Sequence, residues 1–171
     1  MRQEAFLHGL SMHGIHSCKI EEADYSYESG AEAAYRLLTS AHAPDAIFCS
    51  GDINTMGALD AARKLGRDIG ETLSIAGFDA PCGMELPPYG ITALRQDTGQ
   101  LARDAVQILK RMIDTDDRSP VVVTRPMELV VRTSTRPHPT EKVKHLQKND
   151  ARRLERLICV AGYLNPSKVQ S

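Results

Sequence analysis

The sequence predicts an α/β fold in which a parallel sheet is flanked by helices, and three observations carry that expectation. Short apolar runs of strand length, "AIFCS", "LSIAGF" and "PVVVT", alternate with longer stretches whose apolar residues recur every three or four positions. "AIFCS" is almost continuously apolar instead of alternating, as a strand covered on both faces is. Helix and strand patterns succeed one another along most of the chain, which is the order of a parallel sheet with helical crossovers.

Taken in order, "RQEAFLHGLSMHG" places Phe6, Leu7 and Leu10 at helical spacing, so a helix begins within a few residues of Met1. "SCKIEEADYSY" reads as a short strand and turn. "ESGAEAAYRLLTSA" follows with a stripe of Ala33, Ala34, Leu37 and Leu38, and Pro44 and Asp45 stop it. The strand "AIFCS" leads into a helix, "INTMGALDAARKLG", for which Gly66 is a plausible C-cap. "LSIAGF" is the next strand. Beyond a Pro- and Gly-rich loop, "APCGMELPPYG", come the strand "ITALRQ" and the longest amphipathic helix, "TGQLARDAVQILKRMID". Leu101, Ala105, Ile108, Leu109 and Met112 share one face of that helix. "PVVVT" and "MELVVRTS" complete the strands. There is no internal repeat.

From Arg136 the texture changes. Two prolines are followed by Lys142, Lys144, Lys148, Arg152, Arg153 and Arg156. Residues 1–135 are expected to form the domain and residues 136–171 a basic tail, flexible or partly helical, with no function assigned.

A chain of 171 residues is long enough for one ordinary domain, and its 42% hydrophobic and 25% charged residues are those of a soluble globular protein. Its net charge of -1 gives no overall reason to bind nucleic acid, so any DNA contact needs a local patch. Cys18, Cys49, Cys82 and Cys159 lie far apart with no C-x-x-C pair, which argues against a zinc knuckle and a thioredoxin-type site. Buried free thiols are expected, with no metal or cofactor. "MRQEAFLHGL" lacks the apolar core of a secretory signal, and no run approaches the roughly 20 apolar residues of a membrane helix. A reducing cytoplasm is the expected compartment.

In an open parallel sheet, ligands bind in the crevice beyond the carboxyl ends of the strands. Asp52 stands at that edge, where "AIFCSG" turns into a helix. Its carboxylate has two compatible uses: capping the backbone N–H groups of the helix, or accepting hydrogen bonds from a ligand's hydroxyl or amine groups while Gly51 lets the chain turn tightly. Motifs for an enzyme are poor: no G-x-S-x-G elbow, no P-loop and no G-x-G-x-x-G follows a strand. His13 and His16, three apart on a possible helix face, have no carboxylate or cysteine nearby to complete a metal set and are read as surface histidines.

"PDAIFCSGDINTMGALDAARKLG", then "LSIAGFD", "ITALRQ", an amphipathic helix and "ELVVRTST" resemble, in order and spacing over roughly residues 2 to 135, the C-terminal half of LacI/GalR-type transcriptional repressors. "RQEAF" fits that family's Arg-x-x-Gly-Phe helix start with Ala5 in place of Gly. Gly51 stands where the family usually has Asn. The resemblance implies a type I periplasmic-binding-protein-like lobe, here incomplete. Two such lobes close on a small molecule, and closure shifts the DNA-binding headpieces of a dimer between two populations.

Carried over by residue, the resemblance makes Asp52 and Arg2 the two polar ligand clamps and Tyr25 the stacking residue, with Asp24 a polar neighbour. Phe78 and Asp79 line the same edge, and Gln96 is read as hinge or interface packing. The implied partners are a small-molecule effector of the sugar or nucleobase/nucleoside class, a second copy of the chain, and operator DNA through the headpiece.

The headpiece, the hinge, most of the first lobe and the strand before "RQEAF" would all precede Arg2 and are absent. The chain is therefore expected to be a C-terminal piece whose lobe lacks one strand, with residues 97 to about 124 packed elsewhere than on their usual lobe. Two alternatives stay open: a periplasmic sugar-binding protein of an ABC transporter, and an enzyme on a doubly wound α/β fold.

Overall fold

The computed structural model describes residues 2–16, 18–79 and 89–136, together with the backbone of 157–162. Four helices, α1 (Arg2–Met12), α2 (Tyr27–Thr39), α3 (Asp52–Lys64) and α4 (Thr98–Thr115), accompany six strands. The strands are β1 (Lys19–Ala23), β2 (Ala46–Cys49), β3 (Ser74–Phe78), β4 (Thr92–Arg95), β5 (Glu128–Val130) and β6 (Leu157–Gly162). They form one sheet in the order β1-β6-β2-β3-β4-β5. Every neighbouring pair is parallel except β4 and β5, which run antiparallel, so the expected parallel sheet carries one antiparallel edge.

The burial alternates as the pleat requires. In β2, Ile47 and Cys49 face the α2/α3 side and are buried, whereas Phe48 faces α1 and stacks on Phe6 with ring centroids 4.4 Å apart. Leu37 and Leu38 of α2, Ala58, Leu59 and Ala62 of α3, and Ile75 and Ala93 of the sheet close the core on that side. Each fully buried Leu or Ile there contributes roughly 1.5–3 kcal/mol by leaving water. The two helices approach backbone to backbone: a β-carbon at Gly57 would lie 2.1 Å from the Tyr27 carbonyl oxygen.

The helix ends follow local chemistry. Ser26 caps α2, its side chain accepting from the Ser29 N–H. The helix stops at Ser40, whose hydroxyl and N–H both bond the Leu37 carbonyl, before Pro44 is reached. Gly66 adopts φ +66° just past α3, while the Gly66 N–H bonds Arg63 O and the Arg67 N–H bonds Ala62 O, the Schellman pattern. Leu65 is thus the cap and Gly66 follows it.

Several expectations need correction. Asp52 is not the cap of α3: it is the first helical residue, and Gly51 holds the cap position without a side-chain bond. Residues 120–124, "PVVVT", form no strand, and Val122 is 90% exposed; among the described residues the sheet ends at β5, and none pairs with them. The apolar face of α4 is not buried either, with Leu109 and Ile113 exposed and Asp104 its one buried residue. α1 ends at Met12, which leaves His13 and His16 beyond the helix, exposed and sharing no helix face.

The largest departure lies in the segment read as a tail. Residues 157–162 form β6, paired to β1 on one side and β2 on the other, with Ile20 opposite Cys159 and Phe48 opposite the same residue. The gap expected where the strand before "RQEAF" belongs is filled by a strand from far along the chain. Cys49 is buried and Cys18 half-buried. The loop at 80–88 with Cys82, the remainder of the segment after residue 136 and the side chain of Cys159 lie outside the described residues.

Candidate functional site

The carboxyl ends of β1, β2, β3 and β4 bring together every residue that the sequence singles out. Arg2, at the start of α1, reaches across the edge: its Nη1 donates to the Ser50 carbonyl at 2.8 Å and its Nη2 to Asp79 Oδ2 at 3.2 Å. The guanidinium also lies 4.0 Å above the Phe78 ring. An arginine presents five N–H donors in a planar fork, and its flat face suits an aromatic ring. Phe78 therefore props Arg2 from below.

Asp79 adopts φ +58°, a left-handed conformation that is uncommon for residues other than glycine. That turn swings its carboxylate back over the strand ends. Oδ2 meets Arg2, and Oδ1 accepts a short bond from Gln96 Nε2, which joins the end of β3 to the end of β4. Both Arg2 and Asp79 remain about a third exposed, so the ion pair alone is worth about 0.2–1 kcal/mol. Gln96, expected at a hinge or interface, bonds this carboxylate.

On the other side of the Ser50–Gly51 backbone lies a second group. Tyr25 is 44% exposed, and its ring rests on Gly51: a β-carbon there would lie 3.1 Å from Cδ1 and 3.3 Å from Cε1. Asp24 forms a local turn, its Oδ1 accepting from the Ser26 N–H at 2.9 Å. Asp52 is half-buried, with Oδ1 accepting from its neighbour Ile53 N–H at 2.7 Å and Oδ2 bonded to no other group among the described residues. The carboxylate thus steadies the first turn of α3 while leaving an acceptor available.

Sequence reasoning missed Asn54. It is 1% exposed, and its Nδ2 donates to the carbonyl of Asp24 at 2.5 Å and of Ser26 at 3.2 Å. Its Oδ1 is buried and has no partner among the described residues. The available signal was its spacing, since Asn54, Ala58, Ala61 and Leu65 recur at helical intervals and place an amide on the face turned toward α2. Thr55, one residue on, bonds the Gly51 carbonyl with its hydroxyl at 2.5 Å and packs against Gly77 of β3. Among the described residues no group of three or more His, Cys, Asp or Glu could hold a metal ion.

The chain is similar to several known proteins. The periplasmic binding protein-like domain matches residues 1–135. The HTH-type transcriptional repressor PurR of Serratia proteamaculans is 33% identical over 116 residues, covering 67% of this chain and 34% of the repressor. The chain thus spans about a third of the length of that curated relative. A LacI transcriptional regulator from a Rhodococcus species superposes with a TM-score of 0.72 at 28% identity, covering 80% of this chain and 50% of that one. The transcriptional regulator CelR in complex with cellobiose superposes with a TM-score of 0.68 at 26% identity, over 75% of this chain and 40% of its own. The chain belongs to the periplasmic binding protein-like domain family, and residues 1–135 correspond to the effector-binding portion of LacI-type transcriptional regulators.

Proposed function

We propose that the chain senses a small polar effector for a LacI-type transcriptional regulator, through the crevice at the carboxyl ends of its strands. One observation carries this reading: Arg2, Tyr25, Asp52 and Asp79, dispersed over 78 positions, converge on one edge of the sheet, grouped around Ser50 and Gly51. Arg2 offers donors, Asp52 an acceptor and Tyr25 an aromatic wall, the complement of a ring bearing hydroxyl or N–H groups. Phe78, Asp79 and Gln96 hold Arg2 in place, and Asp24 shapes the turn that carries Tyr25. The effector is of the sugar or nucleobase/nucleoside class. The relative in complex with cellobiose supports the sugar side of that pair.

The crevice supplies one wall of a two-lobed clamp. The exposed apolar surface of Val106, Leu109 and Ile113 on α4 fits a role in covering the other lobe, and effector binding then biases closure. Operator DNA is bound by a headpiece outside this sequence, as a homodimer and in the cytoplasm. Among the described residues no helix is long and apolar enough to cross a membrane. The effector leaves unchanged: among the described residues the crevice edge presents hydrogen-bonding and aromatic recognition groups.

The test is a titration of the chain, followed by NMR chemical shifts, with a panel of adenine, guanine, D-ribose, D-glucose and cellobiose. A single lobe is expected to give saturable binding of one compound in about the millimolar range, with perturbations centred on Asp52 and Tyr25. Mass spectrometry of the recovered compound should find it intact. A folded chain that none of the panel perturbs at this edge, or a chemically altered product, would overturn the reading.

A further inference from the structure

The backbone on both sides of Tyr25 is held by one buried amide. Asn54 Nδ2 donates to the carbonyl of Asp24, just before the tyrosine, and to that of Ser26, just after it. Ser29 Oγ adds a bond of 2.8 Å to the same Asp24 carbonyl. The ring then lies down on Gly51, in the space that any side chain at position 51 would fill. Among the described residues Asn54 Oδ1 has no partner, and the amide is held there through its donor. Its donor is what the position requires.

We infer that Asn54 and Gly51 together set the specificity of the crevice, by seating the Tyr25 ring as a fixed wall beside Asp52 against which a ring-shaped effector lays its face. Asn54 is a positioning residue: it touches no ligand and acts through the turn at 24–26. Gly51 is a specificity residue: a β-carbon there would lie 3.0 Å from Asn54 Oδ1 and 3.1 Å from the Tyr25 ring, so the amide or the ring must give by a few tenths of an ångström. The inference rests on the effector reading of this edge. It adds that ring ligands are selected through a three-residue device, Tyr25 on Gly51 with Asn54 behind. A ligand without a ring face gains nothing from it.

NMR of the full chain tests this in two parts. An aromatic ring lying on Gly51 shifts the glycine α-proton resonances upfield, and Tyr25→Leu should abolish that shift. Asn54→Ala should diminish it, and in Gly51→Ala the remaining α-proton at position 51 should show less of it, while the resonances of β3 and β4 stay in place, which reports an intact fold. The panel compounds, adenine, guanine, D-ribose, D-glucose and cellobiose, are then titrated into the wild type and each variant. The expected result is a loss of at least about tenfold in affinity for the compound that the wild type binds, in variants whose β3 and β4 resonances show them folded. If Asn54→Ala unfolds the chain, Gly51→Ala and Tyr25→Leu carry the test alone. A ring-current shift that persists in the folded variants, or unchanged affinities, would overturn the inference. A wild type that binds no panel compound while showing the ring-current pattern would instead refute the effector reading, and the specificity role with it.

Discussion

Arg2 and Asp79, 77 positions apart in sequence, meet at 3.2 Å and join the first turn of α1 to the end of β3. The pair depends on a backbone conformation that a residue with a β-carbon rarely adopts. Asp79→Gly loses the ion pair but relaxes the backbone, whereas Asp79→Ala loses the pair and retains the strain. Urea denaturation should therefore find the alanine variant less stable than the glycine variant by about 1 kcal/mol. Equal midpoints would show that the left-handed turn costs nothing here.

The crossing of α2 and α3 has no room for a methyl group at Gly57. Gly57→Ala would place carbon 2.1 Å from the Tyr27 carbonyl and is expected to destabilise the chain by about 3 kcal/mol, or to prevent folding. At Gly9, where nothing lies within 4 Å, the same change to alanine should stabilise α1 slightly, by about 0.5–1 kcal/mol. Thermal unfolding of both variants checks the contrast.

Asp104 on α4 accepts two bonds from Arg125, at 2.6 and 2.7 Å, and one from Gln100 at 2.9 Å. The Arg125 bonds come first, and those from Gln100 second, in holding its carboxyl below the usual value of 3.8. A depressed carboxylate contributes stability above its unfolded pKa and loses it as the pH falls through the folded one. Hydrogen exchange of α4 and of residues 119–127 should thus accelerate, beyond the intrinsic pH effect, on acidification below the ordinary carboxylate range. Arg125→Leu should remove most of that extra dependence, and an unchanged profile would sink the account.

Val106, Leu109 and Ile113 are 66, 59 and 72% exposed on one helix. Such a surface promotes association. Leu109→Lys with Ile113→Lys should lower the sedimentation-average mass of the chain at high concentration while changing its stability by no more than about 0.5 kcal/mol. A drop in stability would mean that the face is packed within the chain.

Most of the fold is legible in the sequence because its signals are local. The stripe of Ala33, Ala34, Leu37 and Leu38, the apolar run before Gly51 and the glycine after α3 each specify their element within a few residues. "LICVAG" carries an equally apolar run, but charged residues surround it, and its place depends on a slot between β1 and β2 more than a hundred positions earlier. "PVVVT" has the composition of a strand and no partner among the described residues, so propensity alone misleads. At the site, Asp52 was visible as a carboxylate where a strand turns into a helix, and Arg2 and Tyr25 through the family resemblance. Asn54 was not, because its role exists only where α3 passes behind the turn at 24–26.

The placement of β6 also bears on synthesis. A ribosome makes β1 and β2 early, and the strand that separates them emerges only after more than a hundred further residues, roughly 5–20 s later at about 5–20 residues per second. Throughout that interval the facing edges of β1 and β2 are open on the nascent chain, exposed to chaperones or to the same edges on neighbouring copies. Slowed translation between β2 and β6 would lengthen that exposure, so the yield of folded protein is tied to the speed with which β6 is delivered.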